Sequence, residues 1–332
     1  MRRNSPADPS NASRTPEVSV VMPTRNRADL VRSAVSTVLE QAGVELELII
    51  VDDASTDHTW DVLGDIAEGD ARVRIIRLDE RSGAGRARNV GVAEARASYV
   101  AFIDDDTEWH PTKLRRQLDA ALADAEQIGV VYGPYLLMLP DGRSRWVGSA
   151  AAARKAPFRT LIRRNFIGMP TVLVRRDLLE AIGGFDESLP RLQDWDLFVR
   201  LAEVTKFAYV PDPLTRCRHV PGGISTQTDA LVAAVKTLVA KYQARGLDAR
   251  SMADWMTAHA HALMIGGAPS EGRRLHLRAM RQAPLMLHRL PIVALAFCGA
   301  RVYRAAFSAA TGILGALRWS GARKQEESWS TS

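Results

Sequence analysis

Cysteine is scarce in this sequence, which has only Cys217 and Cys298 among its 332 residues. Neither of them lies in a C-x-x-C motif or beside a Cys/His cluster, so the sequence gives no indication of a zinc site. Isolated cysteines of this kind are typical of proteins in a reducing compartment. We therefore expect a cytoplasmic protein.

Long apolar runs are missing from both ends of the chain. The first 17 residues are rich in Ser, Pro, Asn and Arg and match neither a signal peptide nor a packed element. Near the other end, the uncharged run from Leu290 to Ala300 has 11 residues. A helix that crosses a bilayer needs about 20. We expect disordered tails over residues 1–17 and 321–332.

Acidic residues are absent from residues 272–324, a stretch that carries ten Lys or Arg. Such a segment is suited to an anionic partner. Apolar residues alternate with arginines over residues 285–319, which favours a helix lying in the interface of an anionic membrane surface. The alternative is a helix packed on the rest of the protein with a solvated arginine face. No nucleic-acid-binding module is recognisable, so we expect no nucleic-acid partner.

Short apolar runs alternate with helical patterns from Val18 onward. The stretch 29–41 has its apolar residues on one helical face, and Pro111 is placed to begin another helix that runs to about residue 125. This alternation predicts an α/β fold with a doubly wound, mostly parallel sheet flanked by helices. Beyond residue 226 the pattern is helical to about residue 320. The predicted strands are Val18–Met22, Leu48–Val51, Val73–Arg77, Tyr99–Ile103 and Val130–Tyr132.

Polar residues follow three of these strands. Residues 23–27 (Pro-Thr-Arg-Asn-Arg) follow the first, residues 52–57 begin with Asp52 and Asp53 after the second, and Asp104 to Asp106 follow the fourth. Parallel sheets bind ligands outside the carboxyl ends of their strands. Because strand side chains alternate, Asp104 and Asp106 point the same way and suit a shared Mg²⁺ or Mn²⁺ ion. The alternative is a solvated turn with a helix cap.

Two further motifs open helices. In residues 83–91 the dinucleotide fingerprint fails because Arg88 stands where a glycine is needed. Gly85 and Arg88 nevertheless suit close approach of a phosphate or ribose, unless this is a plain loop-to-helix junction. Residues 193–196 (Gln-Asp-Trp-Asp) place a carboxylate at a helix start, where it either caps the helix or accepts a proton from an incoming hydroxyl.

In order and spacing, these motifs resemble those of the family-2 glycosyltransferases with the GT-A fold. The resemblance covers residues 18 to about 226. The motifs that carry it are Val-Ser-Val-Val-Met-Pro-Thr-Arg-Asn-Arg (18–27), Val-Asp-Asp-Ala-Ser-Thr-Asp (51–57), Ala-Arg-Asn-Val-Gly (87–91), Ile-Asp-Asp-Asp (103–106), Gly-Gly-Phe-Asp-Glu (183–187) and Gln-Asp-Trp-Asp-Leu (193–197).

The resemblance implies a role for each matching residue. Asp194 corresponds to the catalytic base, with Gln193 and Trp195 near the acceptor. The metal ion, Mn²⁺ or Mg²⁺, is expected to bind Asp106 of the D-x-D element, with Asp104 and His219 as further ligands. This sequence departs from the family's pattern at two positions. Gln193 replaces a glutamate, and Thr107 replaces a residue that is often acidic. The residues expected to bind the nucleotide-sugar donor are Pro23, Thr24, Arg25, Asn26, Asp52, Asp53, Gly85, Arg88, Asp104 and Asp105.

These roles predict a catalytic domain over residues 18–226, with a donor half (18–132) and an acceptor half (133–226), followed by a helical extension over 227–320. The expected reaction is inverting transfer of a sugar to the hydroxyl of a saccharide or lipid-linked acceptor, at the cytoplasmic face of a membrane. A sugar-nucleotide nucleotidyltransferase is the alternative, although residues 23–27 lack the glycine-rich loop it needs. A non-catalytic binding protein with the same fold is another.

Overall fold

This computed structural model describes residues 2–3, 15–139, 144–148, 157–218, 227–286 and 289–306. The chain forms two compact units. The first comprises Met1–Phe158, Phe166–Ser188 and Gln193–Val220, and the second comprises Arg159–Asn165, Leu189–Leu192 and Pro221–Ser332. The predicted limits at residues 17, 226 and 320 fall in or near stretches outside the described residues, so they stay predictions.

The described residues of the first unit form two sheets. The strands are β1 (Arg2–Arg3), β2 (Val18–Thr24), β3 (Leu46–Asp52), β4 (Val73–Arg77), β5 (Tyr99–Phe102), β6 (Thr107–Trp109), β7 (Ile128–Tyr132), β8 (Tyr135–Met138), β9 (Ser144–Val147), β10 (Leu173–Arg175), β11 (Lys206–Tyr209) and β12 (Thr215–Arg218). The larger sheet has eight strands in the order β1-β4-β3-β2-β5-β10-β7-β11, and the smaller has the order β6-β12-β8-β9.

The centre of the larger sheet is parallel, since β2 pairs in parallel with both β3 and β5, and β3 pairs in parallel with β4. Strand β10 interrupts this pattern because it runs antiparallel between β5 and β7. All seven residues of β2 and of β3 are buried. A strand covered on both faces needs a continuous apolar run, which explains why these strands could be predicted. The predicted α/β class with a mostly parallel sheet is confirmed.

The core contains the charged side chain of Glu47. Glu47, in the middle of β3, is 1% exposed. Its carboxylate accepts hydrogen bonds from the Ser19 hydroxyl at 2.7 Å, from Arg96 Nε at 2.8 Å and from Arg74 at 3.2 Å. A buried carboxylate is tolerated when cations and donors surround it, as they do here.

Helices cover the sheet. The two helices predicted over residues 29–41 and from Pro111 are present as α1 (Val31–Leu39) and α4 (Lys113–Leu122). The buried face of α1 consists of Val31, Ala34, Val35 and Val38. The helices of the first unit are α1 (Val31–Leu39), α2 (Thr59–Gly69), α3 (Gly83–Ala93), α4 (Lys113–Leu122), α6 (Arg176–Ala181) and α7 (Gln193–Val204); α5 (Pro157–Leu161) begins in the first unit and ends in the second.

The described part of the second unit consists mainly of helices. It contains α8 (Thr228–Ala244), α9 (Ala249–Ile265), α10 (Pro269–Gln282) and α11 (Leu290–Phe297), and residues 300–306 are also helical. Helix α9 begins after Asp248, whose carboxylate accepts hydrogen bonds from the backbone of Arg250 and Ser251. None of the helices that the structure describes is long and apolar enough to cross a membrane.

Candidate active site

The polar ends of three strands meet at one edge of the larger sheet. In the register, Thr24 of β2 lies opposite Asp52 of β3, and Val21 of β2 lies opposite Phe102 of β5. The loops after these strands are therefore neighbours. The Thr24 hydroxyl donates to Asp105 Oδ2 at 2.8 Å, and Arg27 Nε lies 3.4 Å from Asp105 Oδ1.

Two of the three consecutive aspartates bind protons more tightly than usual. Burial raises the pKa of Asp105 to about 6, against the opposing effects of the Thr24 hydrogen bond and Arg27. Burial, followed by the charges of Asp104 and Asp105, raises the pKa of Asp106 to about 7. Carboxylates this crowded are stabilised in their charged form by a nearby cation.

Arg88 supplies one such cation. It donates to Asp104 Oδ1 at 2.7 Å, and its guanidinium lies 5.6 Å from the centre of the Phe185 ring. Its side chain is 9% exposed. Asp104 is therefore already paired, whereas the side chain of Asp106 accepts a longer hydrogen bond, of 3.3 Å, from Thr107.

The oxygen donors of Asp104 and Asp106 suit a hard divalent ion whose other ligands come from a phosphate. Asp104 and Asp106 offer carboxylate oxygens, the ligands that Mg²⁺ and Mn²⁺ prefer. Within the described residues, no three His, Cys, Asp or Glu side chains come together as a complete metal site. The third predicted ligand, His219, lies outside the described residues.

Asp52 and Asp53 are adjacent but have different hydrogen-bond partners. Asp52 has no exposed surface, accepts hydrogen bonds from the backbone and hydroxyl of Ser55, and lies 3.4 Å from Arg77 Nε. Asp53 is 5% exposed and accepts hydrogen bonds from the backbone of Ser82 at 2.6 Å and of Gly83 at 2.9 Å. Asp53 thus holds the start of α3 against the end of β3.

Asn26 links the first two loops. Its backbone is in the left-handed region, with φ of 54°. Its amide oxygen accepts a hydrogen bond from the backbone of Thr56 at 2.8 Å, and its own backbone N–H donates to Ser55 Oγ at 2.9 Å. Beside it, Pro23 and Thr24 end β2 in buried positions. Arg25 is half-buried, and its buried Nε has no hydrogen-bond partner among the residues that the structure describes.

Asn89 joins α3 to the glycine loop at residues 183–185, a contact that the sequence analysis missed. Its side chain donates to the Phe185 carbonyl at 2.9 Å and accepts from the Phe185 N–H at 2.8 Å. Gly184 has a φ of +66°, and a Cβ there would lie 2.5 Å from Asn89 Oδ1. The sequence signal for this contact was the presence of both motifs, since Asn89 belongs to one and Gly183-Gly184-Phe185 to the other.

The start of α7 lies beside the start of α3. A Cβ added at Gly85 would be 3.6 Å from Gln193 Cγ, so these two motifs are in close contact. Trp195 is 5% exposed and Asp196 is fully buried. Asp196 pairs with Arg200 one turn later, with Nε to Oδ2 at 2.8 Å. Asp194 is the half-exposed carboxylate of the motif.

Comparisons with known proteins identify the family of the chain. The model of the family "Glycosyl transferase family 2" matches residues 19–183. The succinoglycan biosynthesis protein ExoO of Rhizobium meliloti is 30% identical over 257 residues, which are 72% of this chain and 73% of ExoO. The Bacillus subtilis glycosyltransferase TuaG, named for teichuronic acid biosynthesis, is 34% identical over 164 residues, 49% of this chain and 63% of TuaG.

A third relative is named for its donor and acceptor. WfgD of Escherichia coli, a UDP-Glc:alpha-D-GlcNAc-diphosphoundecaprenol beta-1,3-glucosyltransferase, is 30% identical over 162 residues, 49% of this chain and 61% of WfgD. The chain thus spans less than two thirds of the length of TuaG and of WfgD.

Solved structures share the fold. S. aureus TarS 1-349 in complex with UDP-GlcNAc superposes with a TM-score of 0.62 at 18% identity, covering 89% of this chain and 92% of TarS 1-349. The mannosyltransferase PcManGT from Pyrobaculum calidifontis, in complex with GDP-Man and Mn²⁺, gives a TM-score of 0.54 at 21% identity over 94% of this chain and 83% of PcManGT.

Proposed function

The chain belongs to glycosyl transferase family 2, as its motifs predicted, and from this membership we propose that it transfers a sugar from a nucleotide diphosphate donor to an acceptor hydroxyl with inversion. One observation carries the proposal. Gln193 at the start of α7 packs against Gly85 at the start of α3, which Asp53 holds at the end of β3. Asp194 follows Gln193 in this motif, which supports a role for Asp194 close to the end of β3.

The donor half of the site is formed by the strand ends. We propose that Thr24, Arg25 and Asp53 surround the nucleotide base and ribose, with Asp104 and Asp105 near the ribose. Gly85 leaves room at the start of α3 for a phosphate, and Arg88 keeps Asp104 in place. Pro23 and Asn26 shape the first loop. The full burial of Asp52 supports a role in shaping the second loop, in place of the donor contact expected from the sequence.

The metal is part of the proposal. Asp106 and Asp104 would hold Mn²⁺ or Mg²⁺, which would supply positive charge to the departing diphosphate. Their carboxylate oxygens, and the repulsion from Asp104 and Asp105 that adds to the effect of burial in raising the pKa of Asp106, support a cation at this place. The Mn²⁺ in the PcManGT complex, a protein of the same fold, is consistent with it.

The acceptor half depends on Asp194. We propose that its carboxylate takes the proton of the acceptor hydroxyl while that oxygen bonds to the anomeric carbon and the bond to the diphosphate breaks. A single displacement of this kind inverts the anomeric centre. The burial of Trp195 and the ion pair of Asp196 support Asp194 as the base. We propose that Gln193 helps to position the acceptor, and that Trp195 supports the helix from inside.

The relatives suggest the class of acceptor. ExoO and TuaG are named for polysaccharide biosynthesis, and WfgD for transfer to a sugar on a lipid diphosphate. We propose that the acceptor is a saccharide or a lipid-linked saccharide, and that the enzyme works at the cytoplasmic face of a membrane as a peripheral protein.

Donor binding and transfer can be tested separately. UDP-, GDP- and dTDP-sugars are screened for thermal stabilisation with and without Mn²⁺, and the donor that binds is used for transfer assays. Asp194→Asn should lower transfer by about 10² to 10⁴ while donor binding stays. Asp61→Asn, on α2, is the matched control. Full transfer by Asp194→Asn, or no donor binding in any condition, would contradict the proposal.

A further inference from the structure

Helix α11 exposes an uncharged, apolar face. All eight of its residues are uncharged. Leu290 is 47% exposed and Phe297 is 55% exposed, and Ala294 between them is exposed as well. These three positions lie at i, i+4 and i+7, which is one side of a helix. Water therefore contacts a continuous apolar stripe.

The opposite face of α11 is packed. Ala296 is fully buried in a small cluster with Met264 of α9 and Tyr303, and Ile292 and Leu295 pack against that cluster. Among the described residues, the contacts that hold the helix in the second unit are thus on one side. The apolar character of the outer side needs another explanation, since packing within the described part of the unit uses the inner side.

The segments before and after α11 also expose apolar side chains. Leu285, before α11, is 92% exposed, and Val302, after it, is 47% exposed. A soluble protein exposes single apolar side chains at random, but a run of them along one segment indicates a binding surface.

The charged residues of the segment that carries α11 have one sign, although Arg289, directly before the helix, pairs with Asp254 of α9. Residues 272–324 contain no Asp or Glu. Arg281, Arg301 and Arg304 are exposed, and within the described residues they make no ion pair with an acidic side chain. Cationic side chains that flank an apolar helix face are complementary to a surface with anionic groups above an apolar interior.

The length of α11 decides how it meets such a surface. Eight helical residues extend about 12 Å, and a bilayer core is about 30 Å thick. A helix this short fits the boundary between head groups and acyl chains.

We propose that the outer face of α11, with Leu285 and Val302, docks on an anionic lipid bilayer. Leu290, Ala294 and Phe297 enter the acyl boundary, while Arg281, Arg301 and Arg304 pair with lipid phosphates. The inference extends the peripheral-membrane part of the proposed function by naming the surface. It is independent of the sugar transfer chemistry, which uses residues of the first unit.

Vesicle flotation of the full chain tests the surface. Phosphatidylcholine vesicles are compared with vesicles of equal parts phosphatidylcholine and phosphatidylglycerol. The wild type should float with the anionic vesicles and lose binding at high salt. The Leu290→Ser/Phe297→Ser variant should bind at least about tenfold more weakly, since two partly exposed side chains no longer bury apolar area. Leu122→Ser/Val204→Ser, which changes residues 53% and 55% exposed in the first unit, is the matched control.

The arginines have their own pair of variants. Arg301→Gln/Arg304→Gln should weaken binding to anionic vesicles by about tenfold or more. Arg159→Gln/Arg164→Gln removes the same charge from other exposed positions and should weaken binding much less. Thermal unfolding confirms that each variant is folded. Donor binding should be equal in all of them, so a failed sugar-transfer proposal and a failed membrane proposal give different results.

Three results would overturn the inference. The first is equal flotation of the α11 variant and its control. The second is equal binding of the wild type to neutral and anionic vesicles. The third is a dimer that Leu290→Ser/Phe297→Ser converts to a monomer without any loss of flotation, which would assign this face to contacts between copies of the chain.

Discussion

Arg88 of α3 donates a hydrogen bond to the carboxylate of Asp104, which follows β5, across 2.7 Å. The guanidinium lies over the Phe185 ring and is nearly buried. A fixed positive charge is thus in contact with a run of three aspartates, two of which have a raised pKa. The hydrogen bond orients the carboxylate of Asp104 before any ligand arrives.

Removing this cation should impair the enzyme. Arg88→Leu takes away a hydrogen bond between charged groups, worth about 1.5–3 kcal/mol, so donor affinity should fall by about 10- to 100-fold. Arg86→Leu is the control on the same helix, because Arg86 is 51% exposed and pairs with Glu187 at 3.3 Å. It should change affinity by less than about threefold. Equal losses in the two variants, measured by donor titration, would show that the Asp104 contact is unimportant.

Asp196 should matter for stability where Asp194 matters for transfer. Asp196 and Arg200 form a buried pair, with side chains 0% and 8% exposed. Breaking a buried pair leaves one uncompensated charge, so Asp196→Asn should lower the free energy of unfolding by about 3 kcal/mol. Urea denaturation measures this effect.

An exposed pair provides the comparison. Asp65 lies 2.7 Å from Arg32, and both side chains are more than half exposed. Asp65→Asn should cost less than about 1 kcal/mol. If Asp196→Asn were as stable as Asp65→Asn but inactive in transfer, Asp196 would replace Asp194 as the candidate base.

The central strands were predictable because burial on both faces leaves a continuous apolar run. The limits of β4 agree with the prediction, and those of β2 and β3 differ by at most two residues at each end. The antiparallel position of β10 between β5 and β7 was not predictable. Its three residues carry no signal of their own, and the position depends on partners distant in the sequence.

The site divides in the same way. The clusters after β2, β3 and β5 could be placed together because parallel strands end at one edge. The exchange of hydrogen bonds between Asn89 and Phe185, and the ties from Asp53 to Ser82 and Gly83, depend on where the chain returns in space. Sequence periodicity contains no information on such contacts. The sequence motifs predicted which residues belong to the site, whereas their hydrogen-bond partners are known only from the structure.

Two glycines in helices should respond in opposite ways to alanine. A Cβ at Gly91 of α3 would lie 2.3 Å from Val21 Cγ1 of β2, whereas a Cβ at Gly64 of α2 meets nothing within 4 Å. Gly91→Ala forces the helix away from the sheet and should cost about 1–3 kcal/mol. Gly64→Ala should stabilise by about 0.5–1 kcal/mol. Thermal unfolding distinguishes the two, and an equal shift in Tm would contradict the close approach of α3 to β2.

The second unit should lose stability in mild acid because it buries neutral histidines. Burial lowers the pKa of His259 to about 4, and burial together with the charge of His261 lowers the pKa of His276 to about 4. In the unfolded chain a histidine has a pKa of about 6.5. As the pH falls below about 6.5, the unfolded chain binds protons that the folded one does not, so stability is lost between about pH 6.5 and pH 4.

Each of these histidines should contribute up to about 3 kcal/mol to that loss. The free energy of unfolding, measured by urea denaturation at pH 7 and pH 5, should fall for the wild type and fall less for His276→Gln, which has one buried titrating group fewer. His58→Gln is the control, since His58 is 91% exposed, and it should keep the wild-type pH dependence.

Because the ring of His276 contacts Tyr303 at 3.3 Å, His276→Gln should also lower stability at pH 7. The change between the two pH values, not the absolute stability, therefore tests the prediction. The same change in His276→Gln as in the wild type would show that His276 takes up its proton equally in the folded and unfolded chain.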